Sequence, residues 1–229
     1  MRLGVVLVLL LAACERTPNR ELDLDLIKVH GAHLATDTVG EGKFVEQATF
    51  VLVDAENTGG EGAYITLAGE LIDAGGAATG TLAPQSLWIP SHDSRTFALV
   101  DSEHKPRPAT KTARVKVRGA NMSSPAPLVR IEELHSFDDH GHAVVQAYVV
   151  NDSNRIGLVM VIASFHDATD RPIQRPFQLV KIGPKHDGEP GNCLDADSRD
   201  DPQHSKCPIR FIGPAGSKTG TMFVGDIQY

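Results

Sequence analysis

The chain has 229 residues, with 29 acidic and 22 basic side chains and a formal net charge of −7 at pH 7. This negative balance argues against non-specific binding to nucleic acid, which requires a positive surface. Helical periodicity is nearly absent, and short alternating apolar runs separated by Gly, Pro, Asn and Asp are typical of all-β sandwiches.

The amino-terminal segment carries a leader. Arg2 is followed by an unbroken apolar run over residues 3–13, and Cys14 follows the run. The run is much shorter than the ~20 residues of a membrane-spanning helix, but it fits the apolar part of a signal peptide. Its last four residues, LAAC, resemble the bacterial lipobox. The resemblance implies cleavage before Cys14, a diacylglyceryl group on its sulfur and acylation of the new amino terminus. The alternative is an ordinary secreted protein whose leader contains a cysteine.

Removal of this signal peptide, residues 1–13, leaves 229 − 13 = 216 residues, and the loss of Arg2 changes the net charge from −7 to −8. Residues 14–21 then form a lipidated tether. Several acyl chains, at ~0.8 kcal/mol per buried CH₂, anchor a protein stably without a membrane-spanning helix. Glu15 stands where an aspartate favours retention at the inner membrane of enterobacteria. The predicted location is therefore the bacterial cell envelope, lipid-anchored at the outer membrane.

Two stretches of the chain repeat each other at a constant offset of 94 residues. The matched pairs are Asn57 with Asn151, Ile65 with Val159, Leu67 with Val161, Leu71 with Phe165 and Asp73 with Asp167. We predict two tandem β-sandwich domains, residues 22–120 and 128–229, each near the usual ~100 residues of a domain. Residues 121–127 form the linker between them, because its Pro and Ser residues do not continue a ladder.

Alternation of apolar and polar residues predicts the strands of both domains. The first domain is predicted to be a sandwich of about seven strands. The strands identified in it span residues 22–26, 44–53, 64–72, 87–89, 96–100 and 113–118. In the second domain they span residues 128–134, 143–150, 158–166, 177–182, 209–212 and 220–224.

The second copy carries an insertion. Residues 89–96 and 212–219 align at an offset of 123, which predicts 123 − 94 = 29 inserted residues, mostly between Gly183 and Pro208. Cys193 and Cys207 lie inside it, and in an oxidising envelope they are expected to pair. A closed loop of ~15 residues stabilises a domain by about 3 kcal/mol in the chain-entropy model. The alternative is a redox or metal-binding cysteine pair, although the spacing is not C-x-x-C.

Each copy ends a strand in an apolar residue followed closely by aspartate, GELID at residues 69–73 and ASFHD at residues 163–167. The order of a valine-rich strand, an Asn turn and such a strand resembles the FxLYD domain of bacterial secreted proteins and lipoproteins. Both copies lack the leading Phe and the Tyr of that signature. The resemblance implies an immunoglobulin-like sandwich and a module without catalytic residues.

No motif for catalysis is present. The stretch from Gly213 to Thr219 looks like a phosphate-binding loop, but that loop needs Gly directly before Lys and a helix after it. Here Ser217 precedes the lysine and a strand is predicted to follow, so we predict a β-turn. Neither a G-x-S-x-G elbow nor a paired Cys/His arrangement occurs. The sequence therefore predicts no enzyme and no cofactor.

Two clusters could hold a metal ion. A histidine-rich segment contains His135, Asp138, His140 and His142. With the two last histidines two residues apart on a strand, their side chains would share one side, and imidazole with carboxylate suits Zn²⁺ or Cu²⁺. A solvated hairpin turn is the alternative. The acidic stretch at residues 195–201 could bind Ca²⁺, but without a turn Gly or a closing Glu a solvated loop is favoured.

A basic stretch runs over residues 105–118 without any acidic residue. It contains Lys105, Arg107, Lys111, Arg114, Lys116 and Arg118. Lysines and arginines along a terminal strand often prevent edge-to-edge association. The functional alternative is a patch for anionic lipid headgroups or for an acidic partner.

The two copies differ on one strand face. Where the first copy has Tyr64, Thr66 and Ala68, the second has Leu158, Met160 and Ile162. Leaving such side chains in water forgoes roughly 1.5–3 kcal/mol each, and contiguous exposed apolar patches mark interfaces. We predict that this face is covered by the first domain, by a partner protein of the envelope or by the inserted loop. The expected function is that of a non-enzymatic structural or protein-interaction lipoprotein, with a metal-binding lipoprotein as the alternative.

Overall fold

The computed structural model describes residues 20–39, 46–185, 191, 193–194 and 207–228. The predicted leader, Cys14 and most of the tether lie outside the described residues, as does the acidic stretch at residues 195–201. The described residues form thirteen antiparallel strands and one short 3-10 helix. The prediction of an all-β sandwich fold is confirmed.

Most strands are longer than the alternating runs that predict them, and β11 has the predicted bounds. The first six are β1 (Ile27–Val39), β2 (Glu46–Asn57), β3 (Ala63–Asp73), β4 (Ala78–Ile89), β5 (Asp93–Val100) and β6 (Thr110–Asn121). The other seven are β7 (Val129–Asp139), β8 (His142–Asn151), β9 (Gly157–His166), β10 (Pro172–Gln174), β11 (Phe177–Ile182), β12 (Cys207–Ala215) and β13 (Thr219–Gln228).

The strand predicted at residues 22–26 is wrong. Its last part, Leu24–Leu26, is the 3-10 helix, and β1 begins only at Ile27. The carboxylate of Asp23 accepts a hydrogen bond from the Asp25 N–H. Aspartate side chains that satisfy nearby backbone donors compete in this way with sheet formation, so period-two alternation alone does not predict a strand here.

The strands form four sheets with one repeated order. Sheet I is β1-β2-β5, sheet II is β4-β3-β6, sheet III is β7-β8-β12, and sheet IV places β9 between β13 and the pair β10 and β11. The inner faces of sheets I and II share one apolar core, and those of sheets III and IV share a second. The first sandwich (sheets I and II) and the second sandwich (sheets III and IV) therefore have matching topologies, with β4 divided into β10 and β11 in the second.

Two pairs of turn residues show that the copies match in detail. Asn57 and Asn151 are buried, and each Nδ2 donates to the carbonyl oxygens 4 and 32 residues further along the chain. Asp73 and Asp167 each accept hydrogen bonds from the backbone N–H groups 2 and 4 residues further along. The offset of 94 therefore holds from the Asn turns after β2 and β8 to the ends of β4 and β11.

The size predicted for the insertion is wrong. Val51 of β2 pairs with Leu99 of β5, and Val145 of β8 pairs with Phe211 of β12. The offset between Leu99 and Phe211 is 112, so the insertion has 112 − 94 = 18 residues rather than 29. The offset of 123 matches the turn between β4 and β5 with the turn between β12 and β13, because Pro and Ser occur in or beside both turns.

The predicted disulfide is confirmed. Cys193 and Cys207 are bonded, with their Cα atoms 4.9 Å apart. Within the insertion, Cys193 also forms a β-bridge with Ile182, and Gly191 forms one with Asn151. In the first sandwich β4 and β5 lie against each other at one corner, whereas β11 and β12 make no comparable contact. The disulfide therefore links the inserted segment to β12, at the corner of the second sandwich where β11 and β12 make no comparable contact.

Candidate functional site: the groove between the sandwiches

The two sandwiches meet through the outer faces of sheets I and IV. On β9, Val159 and Val161 point into the second core, so Met160 and Ile162 lie on the opposite face. Ile162 is 1 % exposed and belongs to the core of the first sandwich, and Met160 packs against that core. Phe223, the cross-strand neighbour of Ile162 on β13, is buried in the same core.

This contact accounts for the apolar face of β9. The first sandwich, which is one of the three predicted covers of this face, buries Ile162 and packs against Met160. Leu158 lies further along the strand and remains 39 % exposed. Two of the three apolar residues on the outer face of β9, Met160 and Ile162, therefore form a contact within the chain.

A buried polar network lies at the centre of the contact. His166 Nε2 lies 3.0 Å from Asp54 Oδ2, and the two side chains are only 12 % and 8 % exposed. The hydroxyl of Thr96 donates to the other oxygen of Asp54, and the Thr96 oxygen lies 2.5 Å from the Ser164 hydroxyl. Because the Thr96 proton goes to the carboxylate, Ser164 is the donor to Thr96. Each sandwich thus contributes two side chains to one chain of hydrogen bonds.

The environment of His166 favours its charged form. Burial lowers the pKa of His166, but the hydrogen bond and the negative charge of Asp54 outweigh burial, and the charges of Asp170 and Asp167 act in the same direction. The pKa of His166 is therefore raised above its ordinary value. An imidazolium paired with a buried carboxylate stabilises the docked arrangement as long as His166 remains protonated.

Arginine side chains complete the contact around Phe223. The Arg175 Nε donates to the Thr96 carbonyl at 2.7 Å. The guanidinium groups of Arg95 and Arg175 lie 5.2 Å and 5.8 Å from the centre of the Phe223 ring. At these distances cations are attracted to the face of an aromatic ring. Arg95 belongs to the first sandwich and Arg175 to the second, so each sandwich contributes one cation that is attracted to the Phe223 ring.

Gly31 allows β1 to approach the second sandwich. It has a φ of 70° at a break in the pairing of β1 with β2. A Cβ atom at this position would lie 2.9 Å from Pro172 Cδ and 3.2 Å from Asp54 Oδ2. A larger residue would therefore be strained in its backbone and would crowd the buried carboxylate.

Beside this contact lies an open groove of about 660 Å³. Its floor is the outer face of sheet I and its wall is the edge of sheet IV. The floor includes Phe50, Leu52, Ala98 and Val100, the wall includes Met160, Ile173, Pro176 and Phe177, and the polar rim includes His33, Asp37, Gln85 and Arg175. Ligand sites of ~300–1,000 Å³ with apolar walls and a few polar groups occur preferentially between domains. This groove is the candidate binding site.

The wall of the groove continues into an exposed apolar surface. Phe177 and Leu179 of β11 lie opposite Ile162 and Met160 of β9, so their side chains share the face that borders the groove. Both are exposed, as is Leu158 on the same face. His33 stands on the opposite rim, where burial and then the charge of Arg171 lower its pKa, against a smaller effect of Asp167. The neutral form of His33 is therefore favoured.

The histidine-rich segment does not form the predicted ligand set. His140 is in the turn between β7 and β8 with a φ of 53°, so it is not two strand positions before His142. The His140 side chain is 98 % exposed, whereas His142 Nδ1 contacts the Gly213 carbonyl at 2.9 Å. Asp138 accepts from the Gly141 N–H, and His135 lies opposite Gln146. In the part of the chain that the structure describes, no three His, Cys, Asp or Glu side chains are grouped so as to hold a metal ion.

Two residues of the basic stretch are engaged locally. Arg107 Nε donates to the carboxylate of Asp101 at 3.0 Å, and the Asp101 side chain is fully buried. Burial raises the pKa of Asp101, but the hydrogen bond from Arg107 and backbone donors outweigh it, so the pKa lies below its usual value. Lys105 pairs with Glu103 at 3.1 Å. These two cations therefore organise the loop between β5 and β6.

The remaining cations lie on β6, which is an edge strand of sheet II. Arg114, Lys116 and Arg118 are exposed, while the alternate residues of β6 pack against the first core, as the alternation predicts. Arg114 lies 3.6 Å from Glu70 of β3. This arrangement is compatible both with edge protection and with a surface for an anionic partner.

Comparison with known proteins provides no assignment: no family model, no curated protein and no solved structure matches the chain. Within the described ranges, no helix is long and apolar enough to cross a membrane.

The sequence alone did not predict the buried network of Asp54, Thr96, Ser164 and His166. One signal was available: Asp54 is an acidic residue that directly follows the apolar run FVLV of β2. A carboxylate within a buried strand requires a partner, but the partner lies 112 residues away in the other copy.

Proposed function

We propose that the chain is a non-enzymatic lipoprotein of the bacterial cell envelope that binds an apolar segment of a partner protein. The observation that carries this proposal is the groove between the sandwiches, with its apolar floor and the exposed Phe177 on its wall. An apolar segment in an extended conformation would bury its side chains against Phe50, Leu52 and Val100. The polar rim would satisfy the ends or the backbone of that segment.

The lipidated location rests on the leader. The residues LAAC at positions 11–14 provide a lipidation site on Cys14, and Glu15 favours the outer membrane. The two sandwiches would then stand above the membrane on a short polar tether. The resemblance to the FxLYD domain adds the expectation of an immunoglobulin-like module without catalysis. Fractionation tests the anchor, because Cys14→Ala should move the protein from membranes to the soluble fraction.

Site-specific photocrosslinking in intact cells tests the groove. A photoreactive residue at Gln174, which lines the groove, should give an adduct with a partner protein. The matched control is Gln178, an exposed glutamine on the next strand that does not line the groove. Phe177→Asp should abolish the adduct at Gln174 because it places a charge on the apolar wall. Equal adducts at both glutamines, or an adduct that survives Phe177→Asp, would contradict the proposal.

A further inference from the structure

The second sandwich has an open counterpart of the face that the first sandwich uses for docking. In the first sandwich the outer face of sheet I is covered by sheet IV, and the strand order makes sheet III its equivalent in the second sandwich. On sheet III, Phe137 and Ile212 are 43 % and 57 % exposed. A terminal repeat normally presents a polar outer surface. This one presents two large apolar side chains.

Strand register places these side chains in one row. Phe137 of β7 and Ile212 of β12 both lie opposite Val144 of β8. Because the neighbouring Val145 belongs to the second core, Val144 and its two partners lie on the outer face. Val144 is fully buried between its neighbours. The row is therefore a continuous apolar ridge across three strands.

A polar row runs beside the apolar ridge. His135 and Arg210 both lie opposite Gln146. Next to this row is a shallow groove of about 390 Å³ that also includes Tyr148 and Pro208. The groove has walls of both aromatic and charged character. The face as a whole thus combines an apolar ridge with a neighbouring recess that is lined by both polar and apolar side chains.

The charges of this face have both signs. Arg210 and Asp139 lie on the same face, and their closest nitrogen and oxygen atoms are 3.8 Å apart. In a two-fold contact the same patch is used on both subunits, so each charged residue can face its opposite on the other copy. Arg210 of one copy would then approach Asp139 of the other, while the ridges of Phe137 and Ile212 fill the space between the sheets.

The outer face of sheet II is the other surface that a second copy could offer, because it is equivalent to the docking face of sheet IV. It lacks the necessary apolar residues. By strand register, Thr66, Ala68 and Lys116 stand where sheet IV has Met160, Ile162 and Phe223. A head-to-tail array of copies is therefore disfavoured, and a contact that uses the same face on both copies is favoured.

We propose that the outer face of sheet III docks against the same face of a second copy of this chain, in a two-fold symmetric dimer. The exposed side chains of the ridge, Phe137 and Ile212, form the apolar centre of the contact, with Arg210 and Asp139 at its sides. This dimer does not depend on the groove between the sandwiches, which lies on a different face.

Crosslinking of the full-length protein in membranes tests the proposal. Gln146→Cys places a thiol at the centre of the face, and Gln178→Cys places one on an exposed strand position elsewhere. The native cysteines Cys193 and Cys207 are bonded to each other. With a short bis-maleimide reagent, the Gln146→Cys protein should form a covalent dimer and the Gln178→Cys protein should not.

A second substitution links the dimer to the apolar ridge. Ile212→Glu in the Gln146→Cys background should lower the dimer yield by about tenfold or more, because one decade corresponds to only ~1.4 kcal/mol and a buried unpaired carboxylate costs more. Ile156→Glu, at another exposed isoleucine, should leave the yield unchanged. The same thermal melting curve for both Glu variants shows that they are folded. No dimer at position 146, equal dimer at position 178 or an adduct with a different protein would overturn the proposal.

Discussion

The ion pair between the sandwiches allows a quantitative test of what holds them together. In His166→Ala, Asp54 loses its charged partner but keeps the hydrogen bond from Thr96. A hydrogen bond to a charged group contributes about 1.5–3 kcal/mol, so the free energy of unfolding should fall by that amount. At ~2–4 °C per kcal/mol for a chain of this length, the melting temperature should fall by roughly 3–12 °C.

The pH dependence of this loss has a defined sign. The pKa of His166 is raised in the folded state, so its contribution is fully present below the pKa of the unfolded state and is lost as pH rises through the folded pKa. The difference between wild type and His166→Ala, measured by chemical denaturation, should therefore be largest near pH 5.5 and smallest near pH 9, values chosen to bracket the ordinary histidine pKa of ~6.5.

Two variants serve as controls for the ion pair. His140→Ala removes a histidine whose side chain is 98 % exposed, and it should change stability by less than about 0.5 kcal/mol at any pH. His166→Gln can still donate one hydrogen bond to Asp54, so it should retain part of the stability but none of the pH dependence. If His166→Ala is as stable as wild type, or if its loss is constant with pH, the reasoning about this ion pair is wrong.

Three further outcomes are expected. Gly31→Ala should destabilise the protein by about 1–3 kcal/mol through backbone strain and crowding, and by more than Gly76→Ala, which has positive φ but no atom near its Cβ position; calorimetry of both variants measures the difference. Replacing Cys193 and Cys207 by Ser should lower stability by up to about 3 kcal/mol, and an unchanged melting temperature would contradict a stabilising disulfide. Protein purified without chelator should contain only traces of zinc or copper by elemental analysis, and a stoichiometric amount would favour the metal-binding alternative instead.

Much of the fold follows from local sequence patterns. Alternating residues predict the central strands, because one face of each strand packs against a core and the other does not. The repeated Asn57 and Asn151 predict the equivalent turns, since each side chain has to satisfy the same backbone carbonyls. The pairing of Cys193 with Cys207 follows from the oxidising compartment that the leader implies.

Features that depend on three-dimensional contact were not predictable to the same degree. The apolar residues Met160 and Ile162 indicate that their face is covered, but the sequence does not distinguish among the possible covers. The alignment beyond residue 183 failed because similar turns join different pairs of strands. The histidine-rich segment differs from its prediction for a local reason. His140 and Gly141 form a turn, so His140 and His142 are not alternate residues of one strand, as the predicted ligand set requires.

The short connection between the sandwiches affects how strong their contact needs to be. Strand β6 ends at Asn121 and β7 begins at Val129, so 129 − 121 − 1 = 7 residues join them. A short linker gives an effective concentration in the millimolar range. A contact with a dissociation constant near 10 μM would then be occupied about 99 % of the time at an effective concentration of ~1 mM. With that dissociation constant, the same surfaces on separate chains would be mostly dissociated at nanomolar concentrations. Cleavage within the linker would then separate the sandwiches, and with them the floor of the groove from its wall.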